Sequence, residues 1–121
     1  PDLVARGARG VELMVTISND TWFGASIGPL QHLEMARMRA LENGRYLLRG
    51  TNNGVSAIID HRGQLVARTE QFVERTLVGD ARAMLGHTPF TSFGSAPVIA
   101  GCGLLLLLMT LAHATLWGRK G

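Results

Sequence analysis

The stretch Gln31 to Asp60, QHLEMARMRALENGRYLLRGTNNGVSAIID, holds the pattern on which the fold of this chain turns. Its first half consists of strong helix formers and, read back to Leu30, predicts a helix over 30–43. Leu33, Ala36, Ala40 and Leu41 are spaced for one face of that helix, and Glu34 with Arg37 and Arg39 with Glu42 are i,i+3 pairs of opposite charge. Gly44 is a natural stop, since a residue without Cβ takes the left-handed conformation that closes helices. Beyond it the period changes. Arg45 to Thr51 (RYLLRGT) reads as a strand, Asn52-Asn53-Gly54 as a turn, and Val55 to Ile59 as a second strand.

Outward from this centre the punctuation continues. Asp60-His61-Arg62-Gly63 places Asp first and Gly fourth in a type I turn, and Gln64 to Thr69 alternates as a returning strand, so 55–69 is a hairpin. Phe72 to Gly79 (FVERTLVG) offers one more strand. On the other side, Glu12 to Ser18 (ELMVTIS) is short, apolar and β-branched, which suits a strand buried on both faces. It runs into the polar cluster Asn19-Asp20-Thr21 and then Trp22-Phe23-Gly24, a loop leading to a helix with Pro29 in its first turn. Asp2 to Gly10 reads as the end of a helix. This is an α/β order.

The carboxyl-terminal part has a different character. No Asp, Glu, Lys or Arg occurs from Ala83 to Gly118, and Arg119 and Lys120 close the run. At about 1.5 Å per helical residue, residues 96–117 (APVIAGCGLLLLLMTLAHATLW) reach roughly 33 Å, enough for a hydrocarbon core of about 30 Å. Trp117 stands where an aromatic anchor meets headgroups, and the two cations beyond it favour a cytoplasmic carboxyl terminus, with the preceding domain outside the cytoplasm. The expected division is a folded domain over 1–82, a linker over 83–95 with turn residues at Gly86, Pro89 and Gly94, a transmembrane helix over 96–117, and a cytoplasmic tail over 118–121.

The bulk numbers narrow the function. A formal charge of +3 comes from arginines interspersed with acids and not from a basic block, which excludes a nucleic-acid footprint. One cysteine, Cys102, excludes an internal disulfide or a cysteine metal cluster, and the four histidines show no ligand spacing, so no metal is expected.

The segments TISNDTWFG (Thr16 to Gly24), Gln31 to Asp60 and HRGQLVAR (His61 to Arg68) resemble the carboxyl-terminal part of the nitrilase, or carbon-nitrogen hydrolase, superfamily. Within it they are most similar to the apolipoprotein N-acyltransferase family, over Pro1 to about Arg82. The resemblance implies the C-terminal part of an αββα nitrilase-like sandwich, lying outside the bacterial inner membrane and followed by one transmembrane helix. It implies a Glu-Lys-Cys catalytic set, no cofactor, a phospholipid acyl donor, a lipoprotein acceptor and a cysteine thioester between them. None of the three catalytic residues can be assigned in this sequence, because in relatives the nucleophile lies in a Cys-Tyr-Glu motif ahead of the position of Pro1. Cys102 lies between two glycines inside the apolar run, where a charged thiolate is disfavoured, and reads as a lipid- or helix-facing residue. The expectation is a carboxyl-terminal piece that does not catalyse alone.

Four residues are candidates for the substrate pocket. Trp22 and Phe23 either wall an acyl chain or cover the edge of the sandwich, and Asn19 and Asp20 either meet substrate or cap and brace their loop. Glu34, Arg37 and Glu42 are candidates for structural bracing. Two other functions remain open: a nitrilase-type amidase, in which water attacks the acyl-enzyme, and a membrane-tethered remnant without chemistry.

Overall fold

The computed structural model describes residues 1–118, and within its last helix the side chains up to 113. The elements are α1 (Asp2–Gly7), β1 (Leu13–Asn19), a 3-10 turn (Thr21–Phe23), α2 (Gly28–Asn43), β2 (Tyr46–Asn52), β3 (Ala57–Ile59), β4 (Leu65–Arg68), α3 (Pro89–Phe93) and α4 (Ala96–Gly118). The strands form one sheet in the order β1-β2-β3-β4. β1 and β2 are parallel, with Leu13 opposite Tyr46 and Asn19 opposite Asn52, and α2 is the crossover between them. β2-β3 and β3-β4 are antiparallel.

The core is the seam between α2 and the sheet. Leu33, Ala36 and Ala40 pack with Leu47, Val55, Ala57 and Ile59, and Met14 and Leu65 flank them. Small residues on α2 let its axis approach the strands closely. Leu41 departs from the expected face: it is half exposed, and the next buried position is Asn43. The stripe runs 33, 36, 40, 43, which is the tighter helical spacing. Gly44 ends the helix at φ 60°, ψ 37°, and the Arg45 amide returns to the Ala40 carbonyl at 3.1 Å.

The hairpin forms as its turn chemistry dictates. Asp60 Oδ1 accepts from the amides of Arg62 (2.9 Å) and Gln64 (2.7 Å), and Gly63 takes φ 74°. β3 is shorter than the 55–59 run, because the Ser56 amide bonds the Thr69 hydroxyl and the Ser56 hydroxyl receives the Thr51 amide.

Two expectations are corrected, and a third gains detail. Residues 72–79 form no strand: no ladder partner is available beyond β4 among the described residues, and Phe72, Val73 and Val78 are exposed. β1 is covered on one face only, with Val15 and Ile17 exposed on the other, since α2 shields one side of the sheet. The span 83–95 contains a helix, α3, started by Thr88, whose hydroxyl accepts the Thr91 amide at 3.0 Å, with Pro89 in the first turn.

α4 follows directly. It is long and apolar enough to cross a bilayer, with mean hydropathy 1.9 over Ala96–His113 and none of that window buried. Arg119 and Lys120, on which the orientation argument rests, and the Trp117 side chain lie outside the described residues.

Candidate functional site

In a parallel pair the crevice for ligands lies outside the carboxyl ends of the strands. Here β1 ends at Asn19 and β2 at Asn52, side by side. The chain leaves β1 into the 3-10 turn Thr21–Phe23 and leaves β2 into the turn 52–54, and the two loops are tied together. The Asp20 amide donates to the Asn52 carbonyl at 3.1 Å, and Asn53 Nδ2 donates to Thr21 Oγ1 at 3.2 Å. Gly54 is required by this contact, because a Cβ there would run into the Asp20 carboxylate.

Asp20 is the hub. It is buried, and its two oxygens take three donors from three segments. Arg49 Nη2 reaches Oδ2 at 2.8 Å, while the Ser18 hydroxyl and His32 Nδ1 reach Oδ1 at 2.9 and 3.0 Å. Burial pushes this carboxyl up, but the hydrogen bonds from His32 and Ser18 and the charge of Arg49 outweigh it and hold the group below the usual carboxylate range. Arg49, on β2 and also buried, is thereby neutralised inside the fold. Ser18, Asp20 and His32 do not make a nucleophilic triad. The carboxylate stands between serine and histidine, so the hydroxyl meets the carboxylate and not the imidazole.

What the hub holds up is aromatic. Phe23 sets its ring edge to face on His32, with centroids 4.9 Å apart, and leaves no room for a side chain at Gly28. Trp22, at the tip of the turn, is 86% exposed. Asn19 is exposed too, and its Oδ1 accepts the Thr21 amide at 3.1 Å. The structure therefore brings Asn19, Asp20, Trp22 and Phe23 into one loop in which Asp20 points inward and Trp22 outward.

Glu34, Arg37 and Glu42 lie elsewhere, along α2. Arg37 Nη1 holds both Glu34 oxygens at 2.9 and 3.0 Å while its Nε donates to the Gly63 carbonyl at 2.7 Å, tying α2 to the hairpin turn. Glu42 pairs with Arg39 at 3.1 Å. A mostly apolar cleft of about 740 Å³ opens beside the free edge of β1, between α1 and α2, with Val4, Met14 and Met35 on its walls and His32, Arg39 and Arg49 as its polar lining. Cys102 sits exposed on α4 and faces none of these groups. No cluster of residues suited to hold a metal ion occurs among the described residues.

Sequence reasoning missed His32 and Arg49. The signal for Arg49 was present: an arginine inside the apolar run YLLRGT needs a buried counter-charge, and Asp20 closes the neighbouring strand. His32, on a helix, gave no such sign.

The chain is 50% identical over 106 residues to the apolipoprotein N-acyltransferase of Pseudomonas putida, which covers 88% of this chain and 21% of that protein. Proteins of the same name from Nitrosomonas europaea and Pasteurella multocida are 52% identical over 100 residues and 53% over 98, covering 83% and 81% of this chain and 20% and 19% of theirs. The chain thus spans about a fifth of the length of these curated relatives. A family model described as carbon-nitrogen hydrolase matches residues 2–89, from α1 through all four strands to the start of α3, and with the paired loops at the strand ends this places the chain in the carbon-nitrogen hydrolase family.

Proposed function

We propose that this chain is the carboxyl-terminal part of a membrane N-acyltransferase that moves an acyl chain from a phospholipid to the N-terminal amine of a diacylglyceryl-cysteine on a lipoprotein. The observation that carries the reading is the aromatic loop: Trp22 stands exposed at the carboxyl ends of the parallel strands, on a chain whose last helix is apolar enough to span a bilayer. A nucleophilic cysteine supplied by the upstream part of the enzyme attacks the phospholipid ester carbon and releases the lysophospholipid. The lipoprotein amine then attacks the resulting thioester and expels the thiolate. Trp22 and Phe23 line the path of the acyl chain, with Asn19 and Asp20 holding their loop in shape. Glu34, Arg37 and Glu42 brace α2.

In this reading residues 1–82 belong to a nitrilase-like domain on the extracytoplasmic side of the inner membrane, 96–117 cross it, and 118–121 end in the cytoplasm. The 121-residue chain alone has no transferase activity. An amidase of the same family would leave α4 without a task, which favours the acyltransferase.

The test is a chimera in which this chain replaces the matching fifth of the Pseudomonas putida relative. Reconstituted with phospholipid, it is expected to acylate a diacylglyceryl-cysteine peptide, and Trp22→Ala to lower turnover with phospholipid donors while the protein stays folded. Release of free fatty acid with no transfer to the amine would point to the hydrolase instead. Unchanged turnover and donor preference in Trp22→Ala would reduce that residue to surface packing.

A further inference from the structure

Residues 83–95 have the composition of a loose connection, yet almost every turn of them is fastened to the domain. The Met84 amide donates to the Glu12 carbonyl at 3.0 Å. Arg45, itself buried, holds the Gly86 carbonyl with Nη2 and the Val11 carbonyl with Nε. The Thr88 hydroxyl donates to the Glu42 carbonyl at the end of α2. Thr91, 1% exposed, gives its hydroxyl hydrogen to Asn43 Oδ1 at 3.1 Å, and Asn43, 0% exposed, is fixed in turn by the Arg39 carbonyl at 2.8 Å. Arg9 bonds the Thr91 and Ser92 carbonyls at 3.1 and 2.8 Å. Finally Asp2 takes both the amide and the hydroxyl of Ser95, at 2.9 and 2.7 Å, in the residue immediately before α4.

We infer that 83–95 is a rigid juxtamembrane strap whose positioning residues, Arg9 and Thr91 foremost, fix the domain at a set height and angle over the bilayer. The inference rests on the acyltransferase reading for its purpose. A free chain of this length would spread its ends over roughly 20 Å. An ester carbonyl must come within about 3–3.5 Å of a nucleophile to react. A phospholipid cannot leave its leaflet to meet a wandering site, so the site must be held where the lipid is. The strap ties α1, the α1–β1 connection and the end of α2 to the residue just before the span, and α2 also carries His32 and with it the Asp20 loop. Height over the bilayer and aim of the Trp22 loop are thereby set by one connected body. Among the described residues no hydrogen bond or ring contact joins the fastening residues to Trp22, so they act through position only.

The experiment uses the same chimera in nanodiscs. Spin labels at Arg62, on the hairpin turn, and at Val98, in the first turn of α4, are expected to give one narrow distance distribution. The Arg9→Gln, Thr91→Val pair is expected to broaden it. In parallel, kcat/KM with phospholipid should fall about tenfold or more in the pair, while with a short water-soluble acyl ester it stays within about twofold. A broad distribution in the parent chimera, or an equal loss on both donors, overturns the strap. A parent that transfers acyl groups from neither donor overturns the acyltransferase reading and leaves the strap to be decided by the distance distributions. Should the double variant fail to fold, Ser95→Ala removes only the exposed hydroxyl bond to Asp2 and is read the same way, with a smaller donor-specific loss expected and an unaltered profile on both readouts counting against the strap.

Discussion

Residues 72–79 and residues 84–95 are neighbours with opposite fates. The first is apolar and β-prone and finds no strand to pair with among the described residues; the second carries Gly, Pro and Thr and is anchored at six points. Apolar character reports a tendency to be covered, not the presence of a strand alongside. A ladder requires a donor row and an acceptor row, and β4 is the last strand of the sheet among the described residues. Residues 84–95 are ordered by hydrogen bonds with the side chains of Asp2, Arg9, Asn43 and Arg45 and with the Glu12 and Glu42 carbonyls, a mode of attachment that hydropathy does not register. The same device holds the Trp22 loop, where Asp20 collects Arg49, His32 and Ser18.

If polar joints carry the order, breaking them must cost far more than altering the apolar stretch. The largest effect is expected at Asp20. Asp20→Ala strands a buried guanidinium and should cost about 3–5 kcal/mol, seen as a marked fall in the thermal midpoint of the chimera. Asp20→Asn keeps the shape and should instead change the acid limb. Because the folded carboxyl lies below its unfolded value near ~4, its stabilisation is whole above that pH and drains away as pH falls through the folded value. The Asn variant should lack that part of the acid dependence, and an acid limb identical to the parent's would remove Asp20 from the account.

Next comes Asn43→Ala, which removes two interior bonds, to the Arg39 carbonyl and from the Thr91 hydroxyl, for about 1–3 kcal/mol and faster amide exchange across α3. Retained protection of α3 would show that the strap does not depend on this joint. Gly44→Ala is expected to cost about 1–2 kcal/mol, since φ is 60° and the new methyl would stand 2.9 Å from Thr88 Cγ2. The smallest effect belongs to the apolar stretch: Val78→Pro should lie within about 0.5 kcal/mol of the parent, whereas a loss of 2 kcal/mol or more would mean that 72–79 is paired after all.

The local grammar of the chain was legible. The α2 helix, its stop at Gly44, the Asp60–Gly63 turn and the apolar terminal helix all follow from short-range chemistry that the residues carry with them. Thr88-Pro89 was equally readable as a helix start, and its neighbouring glycines masked it. The candidate site was legible as a loop and not as a network. Asp20, His32 and Arg49 come from a strand end, a helix and a strand, and only the crossover brings them together. Asn43 was hidden for a similar reason: its partner is 48 positions along the chain, so nothing near it announces that an amide at the end of a helix is interior.

The bare side of β1 has a consequence for anyone handling this polypeptide. Leu13 to Ser18 carries no charge and no proline, its outer edge has no strand beside it among the described residues, and Ile17 is 85% exposed. Such an edge templates further strands, including those of identical chains. The fate of the isolated chain is then a race between pairing with the right neighbour and pairing with itself, and the second contestant gains with concentration. Dilute refolding with detergent already present is the condition that keeps the chain single, and a lysine placed at Ile17 is the substitution that blunts the edge.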